Sequence, residues 1–233
     1  MKTKVIEHGL ELAQKHMADK IVMLGDYFDD WYALSYEYDD MIKYIKNLLR
    51  LNPSVIPLLG NHELSYLGFP CAGHKKSVQK SIYEAIYPDH RFLFGVAIDG
   101  VFYSHAGVTI SWLKHNKLIT QNDLRLKLHK KTGAEVLERC LEKVPYLEVF
   151  AQAGPARGGT SYPSPLWADL TELIADAAPV KQVVGHTPIN RIENIGRVWF
   201  TDVYSNNNVC NEYLFVRDGE PKIVYYEEKE DGK

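Results

Sequence analysis

Residues 20–26, KIVMLGD, decide the fold, because a short apolar run ends there at the dipeptide Gly25-Asp26. An apolar run closed by glycine predicts a buried strand followed by a turn. Residues 54–59 form a second run of this kind, which ends at Gly60-Asn61. Between the two runs, residues 37–51 carry apolar side chains at helical spacing. This strand–helix–strand order is typical of a parallel sheet with helices on its faces.

The flanking segments extend this unit to a mixed α/β architecture. Upstream, residues 3–18 predict a helix from their apolar spacing. Downstream, the patterns predict an amphipathic segment at 75–87, strands at 91–97 and 100–105 joined through Asp99-Gly100, a mostly helical region at 121–151, a Gly/Pro-rich loop without regular structure at 154–165, and strands at 180–184, 197–202, 212–217 and 222–226. These elements predict a mixed sheet, or a pair of sheets, with helices outside.

Length and composition limit the classes of protein to which the chain can belong. The 233 residues suit one domain, which we place at 1–226, followed by a flexible acidic tail at 227–233. A net charge of −3 gives no electrostatic reason to bind a nucleic-acid duplex or an anionic membrane. Three well-separated cysteines favour a reducing compartment. With no signal peptide or spanning segment visible, we expect a cytoplasmic protein.

Polar clusters follow four of the predicted strands. They are Gly25-Asp26 with Asp29, Gly60-Asn61-His62-Glu63, Ser104-His105-Ala106-Gly107 and Gly185-His186-Thr187-Pro188. Each cluster alone also fits an ordinary turn, and Asn61 alone fits a helix N-cap. Ligands bind at the carboxyl ends of strands in α/β sheets, and Asp, Asn and His suit ions such as manganese, iron or zinc. Together, the four clusters indicate a metal site.

These motifs, GD-x-x-D, GNHE, SHAG and GHTP, resemble those of the calcineurin-like metallophosphoesterases over about residues 20 to 215. The GNHE, SHAG and GHTP forms of the motifs are most similar to those of the branch that contains phage and bacterial serine/threonine protein phosphatases and symmetrical dinucleoside polyphosphate hydrolases. The resemblance implies a sandwich of two mixed β-sheets flanked by helices, with a two-metal centre at one end. It also implies hydrolysis of a phosphate ester by metal-activated hydroxide.

The resemblance implies a role for individual residues. Asp26 would bridge two metals, and Asn61, His105 and His186 would complete the shell of the second metal. Asn61 would also face the substrate phosphate. His62 would be the general acid, oriented by Asp29. Separately, Arg157 is a candidate phosphate clamp, with a solvated loop arginine as the equal alternative; we interpret Trp167 as a packing residue.

The sequence departs from the family pattern at two places. Asp30 stands where the family usually has an arginine that contacts phosphate. The family's opening Asp-x-His motif, which supplies two ligands of the first metal, is absent. The nearest candidate, His8, lies within the predicted first helix, and the interval to Asp26 is too short for a βαβ unit of roughly 30 residues. We therefore do not expect His8 to be a ligand, and we expect the family's first strand to be missing.

Two expectations follow from the missing motif. We expect one divalent metal to be firmly bound, with manganese as the first candidate and iron, zinc or magnesium as alternatives, and a second to be weak or absent. We expect the written start to lie downstream of the ancestral one, and the exposed strand edge to give a homodimer, a replaced strand or poor solubility.

The predicted function is metal-dependent hydrolysis of a phosphate ester, with a phosphoprotein or a nucleotide as the phosphorylated partner. Two alternatives remain open: dinucleoside polyphosphate hydrolysis, and a degenerate phosphoesterase that binds phosphate ligands with little turnover. The absent Asp-x-His motif and Asp30 favour the last alternative.

Overall fold

A computed structural model of the chain describes residues 3–28, 32–130, 132–203 and 211–227. Its first unit is the predicted strand–helix–strand motif. Strand β1 (Ile21–Met23) leads to helix α2 (Ser35–Leu51) and then to strand β2 (Val55–Pro57), which pairs with β1 in parallel. Helix α1 (Thr3–Lys15) precedes this unit. The apolar face of α2 is buried against Tyr27 and Phe28, and this packing holds the segment after β1 in place.

The larger sheet has five strands in the order β3-β4-β5-β7-β6. These strands are β3 (Gly95–Ile98), β4 (Val101–Ser104), β5 (Lys181–Val184), β6 (Glu193–Ile195) and β7 (Val198–Phe200). The β3–β4 and β6–β7 pairs are antiparallel, whereas β4, β5 and β7 run parallel. A separate antiparallel hairpin contains β8 (Glu212–Arg217) and β9 (Glu220–Tyr225). The five-stranded sheet is therefore mixed, as expected.

The remaining α-helices are short. They are α3 (Asn61–Tyr66), α4 (Gln79–Ile86), α5 (Ile110–His115), α6 (Gln121–Asp123), α7 (Gly133–Glu142) and α8 (Leu170–Asp176). Helix α3 begins at Asn61 with Gly60 as its N-cap, so the alternative that Asn61 is the cap is wrong. A single 3₁₀ turn (Pro155–Arg157) lies in the loop that was expected to lack regular structure.

Strand β1 has one strand neighbour, β2, in the ranges that the structure describes. His8 lies within α1 and stacks on Tyr226, with ring centroids 3.7 Å apart. It therefore takes no part in the cluster described below.

Two further features bear on the early expectations. Cys71 and Cys140 are free thiols, and Cys210 lies outside the described residues. None of the described helices combines the length and apolar character that crossing a bilayer requires.

Candidate metal centre

Asp26 lies directly after β1 in a turn that requires unusual backbone angles. Gly25 has φ +96° and Asp26 has φ +60°, both in the left-handed region. Aspartate is one of the few residues other than glycine that adopt this region readily. The turn directs the Asp26 carboxylate towards the loop that follows β2, where the Asn61-His62 segment begins α3. The His62 N–H donates to Asp26 Oδ1 at 3.2 Å.

The two loops approach each other closely through glycines. A Cβ placed on Gly25 would lie 2.5 Å from the Gly60 nitrogen, and one on Gly60 would lie 2.1 Å from Asp26 Oδ1. No ordinary Cβ contact is that short, so both positions need glycine for steric reasons. The GD and GNHE motifs are therefore parts of one packed unit.

His105 enters the same site from the end of β4. Its side chain is buried, and its Nδ1 lies 2.7 Å from the carbonyl oxygen of Leu24. A carbonyl oxygen can only accept, so the Nδ1 must carry the proton in this contact. The neutral ring then has a lone pair on Nε2, which faces the cluster. A hydrogen bond of this kind orients a histidine as a metal ligand.

Three side chains from the other strand ends converge on His105 Nε2. Asn61 Oδ1 and His186 Nδ1 each lie 3.0 Å from it, and Asp26 Oδ2 lies 3.3 Å away. One ligand atom from each of Asp26, His105 and His186 lies within 4.8 Å of the others. The His186 Nε2 is buried without a hydrogen-bond partner among the described residues. A carboxylate, an amide oxygen and two imidazoles form a donor set suited to a divalent transition metal.

The electrostatics of the cluster favour a cation at its centre. Burial alone would raise the pKa of Asp26, but His105 and the other nearby imidazoles hold it well below its usual range. Burial lowers the pKa of His105, yet the Asp26 carboxylate and the Leu24 carbonyl raise it by more. Burial and the charge of His105 lower the pKa of His186 well below the ordinary histidine value. The site therefore holds a carboxylate that keeps its negative charge, beside an imidazole that resists protonation.

The comparisons with known proteins agree with this geometry. A family model described as calcineurin-like phosphoesterase matches residues 3–225, which is nearly the whole chain. The chain belongs to the calcineurin-like phosphoesterase family. Among proteins with curated functions, none matches the sequence significantly.

Solved structures with a similar fold include two phosphatases. One is a point mutant of a cold-active protein tyrosine phosphatase, with TM-score 0.54, 18% identity, and coverage of 88% of this chain and 66% of that one. The other is the cold-active protein tyrosine phosphatase of a psychrophilic Shewanella species, with TM-score 0.51, 19% identity and the same coverage. This calcineurin-like phosphoesterase chain thus spans just under two thirds of the length of either structure, and the likeness concerns the fold.

Glu63 is a residue of the site to which sequence reasoning assigned no role. Its side chain is fully buried and accepts four backbone N–H groups, which come from both ligand loops. Its Oε2 accepts from Asp26 at 2.6 Å and from Gly60 at 2.9 Å, and its Oε1 accepts from Tyr27 at 2.8 Å and Phe28 at 3.3 Å. Burial and the Asp26 charge raise the pKa of Glu63 to about 7, against the effect of these donors. The carboxyl group ties the two ligand loops together.

The structure also locates the other predicted site residues of this calcineurin-like phosphoesterase. Half-buried His62 follows Asn61 in α3, and its charge contributes to the low pKa of Asp26. Asp29 and Asp30 lie outside the described residues. Arg157 Nη2 lies 3.0 Å from Oγ1 of Thr187, which follows His186, and 3.1 Å from Oδ2 of Asp169, the N-cap of α8.

Trp167 lies against the same side of the cluster. Its ring meets His186 edge-on, with centroids 6.1 Å apart, and it packs on the apolar core beside α5 and α7. Its indole nitrogen is buried without a hydrogen-bond partner in the described part of the chain. Trp167 is therefore a packing residue that also contacts a candidate ligand.

Proposed function

We propose that this chain is a metal-dependent phosphoesterase that hydrolyses a phosphate ester. The observation that carries the proposal is the convergence of Asp26, Asn61, His105 and His186 at the ends of four strands. Membership of the calcineurin-like phosphoesterase family supports the same reaction class.

The four converging side chains would hold the cation. A bound divalent ion supplies Lewis acidity towards the phosphoryl oxygens and lowers the pKa of a coordinated water. The ligand set contains one carboxylate and no other formal charge when both histidines are neutral, so the loaded site would stay net positive. A net positive site attracts a phosphate dianion.

One firmly held ion is the stoichiometry that we propose, with manganese first and iron, zinc or magnesium as alternatives. Of the described carboxylates, Asp26 is the one in the cluster, and His8 lies in α1 against Tyr226. A second ion would therefore find few protein ligands. Elemental analysis that returned two tightly held metals per chain would contradict this stoichiometry.

His62 is the proposed general acid, which would protonate the leaving oxygen. It directly follows the ligand Asn61, and its own N–H is bonded to Asp26 Oδ1, so its backbone is fixed relative to the cluster. Asp29 remains its proposed orienting partner. Arg157 is the proposed phosphate contact from the opposite loop, although its pairing with Asp169 leaves less of its charge for the substrate.

The test is turnover of 4-nitrophenyl phosphate with added Mn²⁺. We expect Asp26→Asn to abolish activity, and His62→Asn to lower kcat by roughly 10²- to 10⁴-fold, as loss of a general acid does. His129→Asn, at an exposed histidine, is the matched control and should have wild-type activity. Equal activity in wild type, Asp26→Asn and His62→Asn would refute the proposal.

Phosphopeptides are the substrate class to compare first, because the similar solved structures are named protein tyrosine phosphatases. A dinucleoside tetraphosphate is the comparison that distinguishes the nucleotide alternative. The single carboxylate in the cluster and the Arg157–Asp169 pair favour a second candidate, a phosphate-binding module with little turnover. Calorimetry that found tight phosphate binding without hydrolysis would support this module.

A further inference from the structure

A cavity of about 780 Å³ lies between β1 and β8. Its lining residues include an edge of each of these two strands. From β1 and the turn after it, every residue from Lys20 to Tyr27 lines the cavity, whereas no residue of β2 does. From the hairpin, every residue from Glu212 to Asp218 lines it, whereas Val224 alone does so from β9. The face of a strand exposes alternate residues, so consecutive lining means that the edges of β1 and β8 border the space.

The edge of β1 presents backbone groups to this cavity. In the parallel β1–β2 ladder, the Ile21 N–H donates to Ser54 and the Met23 carbonyl accepts from Leu58, both on the β2 side. Successive residues of a strand alternate in direction, so the N–H and C=O of Val22 point away from β2.

The edge of β8 presents backbone groups in the same way. The β8–β9 hairpin pairs Arg217 with Glu220 across a two-residue turn and sets Val216 opposite Pro221. Proline has no N–H to donate, which identifies Val216–Pro221 as a pair without mutual hydrogen bonds. The N–H and C=O groups of Val216 and of Leu214, two residues earlier, therefore point away from β9.

The top and bottom of the cavity are largely apolar. Helix α1 covers it with side chains at helical spacing, including Ile6, Leu12 and Ala13. The five-stranded sheet lies beneath, with Tyr103 and Val183. A strand between two layers takes up roughly 160 Å³ per residue, from a rise of about 3.3 Å, a spacing of about 4.8 Å and a layer depth of about 10 Å. The volume thus suits about five residues of extended chain.

The charged side chains that line the cavity limit which peptide segment can bind in it. Its polar lining includes the acidic residues Asp19, Asp99, Asp202, Glu212 and Asp218, and the basic residues Lys20 and Arg217. Acidic side chains therefore outnumber basic ones. A basic residue on either side of the apolar stretch would complement this excess.

We propose that this cavity is a peptide-binding slot, which accepts an extended apolar segment with basic flanks as an added strand between β1 and β8. An α-helix does not meet the requirement, because its backbone groups are already bonded internally and its diameter is about 10–12 Å. Strand addition supplies backbone partners to both edges at once, and side chains on both faces of the added strand are buried. Asp26, His105 and His186 line the same cavity, so the bound segment would reach the candidate metal centre.

The test uses a capped peptide with alternating valine and alanine, five residues long, between two lysines. Amide hydrogen exchange is followed by NMR with and without the peptide. At a free concentration of about ten times Kd, we expect exchange to slow by about tenfold at Val22, Leu214 and Val216. The amides of Met23 and Phe215 already face β2 and β9 and serve as internal controls.

Peptide and protein variants sharpen the test. Replacing the alanines by prolines removes N–H donors and should abolish the protection, and replacing the lysines by glutamates should weaken it. Ala13→Trp fills the slot from α1 and should block binding, whereas Gln14→Trp, on the exposed face of the same helix, should leave binding unchanged.

Two outcomes would overturn the proposal. One is an absence of added protection at Val22, Leu214 and Val216 when the peptide is present. The other is that these amides exchange as slowly as Met23 and Phe215 in the protein alone. If that protection rose with protein concentration, a second copy would be the occupant; if it did not, another part of the chain would be.

Discussion

Asn61 is the neutral member of the four side chains that converge at the candidate metal centre. Replacing it by aspartate keeps its size and adds a second carboxylate beside Asp26. Without metal, we expect Asn61→Asp to lower the free energy of unfolding by about 1–3 kcal/mol, since two neighbouring buried carboxylates repel each other. With Mn²⁺, the extra charge should tighten binding, so the rise in Tm on adding metal should exceed that of wild type.

Thermal unfolding with and without Mn²⁺ measures both effects. Asn122→Asp, at an exposed position in α6, is the matched control and should change neither quantity appreciably. If adding Mn²⁺ raised the Tm of Asn61→Asp by less than that of wild type, position 61 would not be a ligand.

Glu63 joins the two ligand loops through its four backbone hydrogen bonds. In Glu63→Gln, a side-chain NH₂ would replace one of the two carboxylate oxygens. Backbone N–H groups that donate to that oxygen in the wild type would then face another donor. We expect a loss of about 1–3 kcal/mol in the free energy of unfolding, as for buried groups left unsatisfied. Displacement of the Asp26 loop should also weaken Mn²⁺ binding.

Urea unfolding and metal titration of Glu63→Gln are compared with Glu142→Gln, an exposed residue at the end of α7. A destabilised variant with unchanged Mn²⁺ affinity would mean that Glu63 supports the fold without positioning the ligands.

The loops after β1 and β2 depend on glycine at their closest approach. Gly60 has an ordinary φ of −101°, so Gly60→Ala introduces no backbone strain, but its Cβ would lie 2.1 Å from Asp26 Oδ1. We expect the variant to lose Mn²⁺ binding and several kcal/mol of stability, on the order of an overpacked core site.

Gly185→Ala is the matched control for this steric effect. Gly185 also follows a strand and precedes a candidate ligand, but a Cβ there would meet its nearest neighbours at 3.7 Å, an ordinary contact. Titration calorimetry with Mn²⁺ should show near wild-type affinity for Gly185→Ala. Equal loss of Mn²⁺ affinity in both variants would show that Cβ crowding at Gly60 is not the cause of the loss.

Long elements with strong periodicity could be predicted from the sequence. The spacing of Met41, Ile45 and Leu49 predicted the buried face of α2, and the apolar runs predicted β1 and β2. The short helices α5 and α8 were missed, because six or seven residues contain too little periodicity to recognise. Strand β6 was missed because two of its three residues are exposed and polar.

The candidate ligands could be predicted for a related reason. Polar residues that follow strands gather at one edge of a sheet, so the four clusters were recognisable from their positions, and the family resemblance singled out Asp26, Asn61, His105 and His186 within them. Glu63 was missed, although a capping pattern gave a signal: glutamate at the third helical position commonly bonds the N-cap N–H. Its bonds to the Asp26 loop depend on tertiary packing, for which the sequence holds no local sign.

Metal binding should stabilise the whole fold, because the ligands come from four separate strand ends. An ion that binds the folded state at 100 times its Kd adds about 2.7 kcal/mol to the free energy of unfolding. Differential scanning fluorimetry should show Tm rising with Mn²⁺, and His105→Ala should lose this rise. An unchanged wild-type Tm over a wide Mn²⁺ range would contradict the metal site.

This stabilisation should disappear in acid. Ligating histidines must be neutral, so protons compete with the ion. Asp26 raises the pKa of His105, and the competition should therefore begin above the ordinary histidine pKa of about 6.5 and strengthen as pH falls. The metal-induced rise in Tm should be largest at alkaline pH and smallest below pH 6. A rise that grew on acidification would have the wrong sign.

The close glycine contact and the Glu63 bonds leave the Asp26 and Asn61 loops with a single possible separation. His186 approaches from the other sheet on a loop that these constraints do not include. Ions of different radius would therefore be accommodated by displacement of His186, while Asp26 and Asn61 stay fixed. Selectivity among metals would then depend on the Gly185–Pro188 loop, which is the segment to alter for a variant with a different preferred ion.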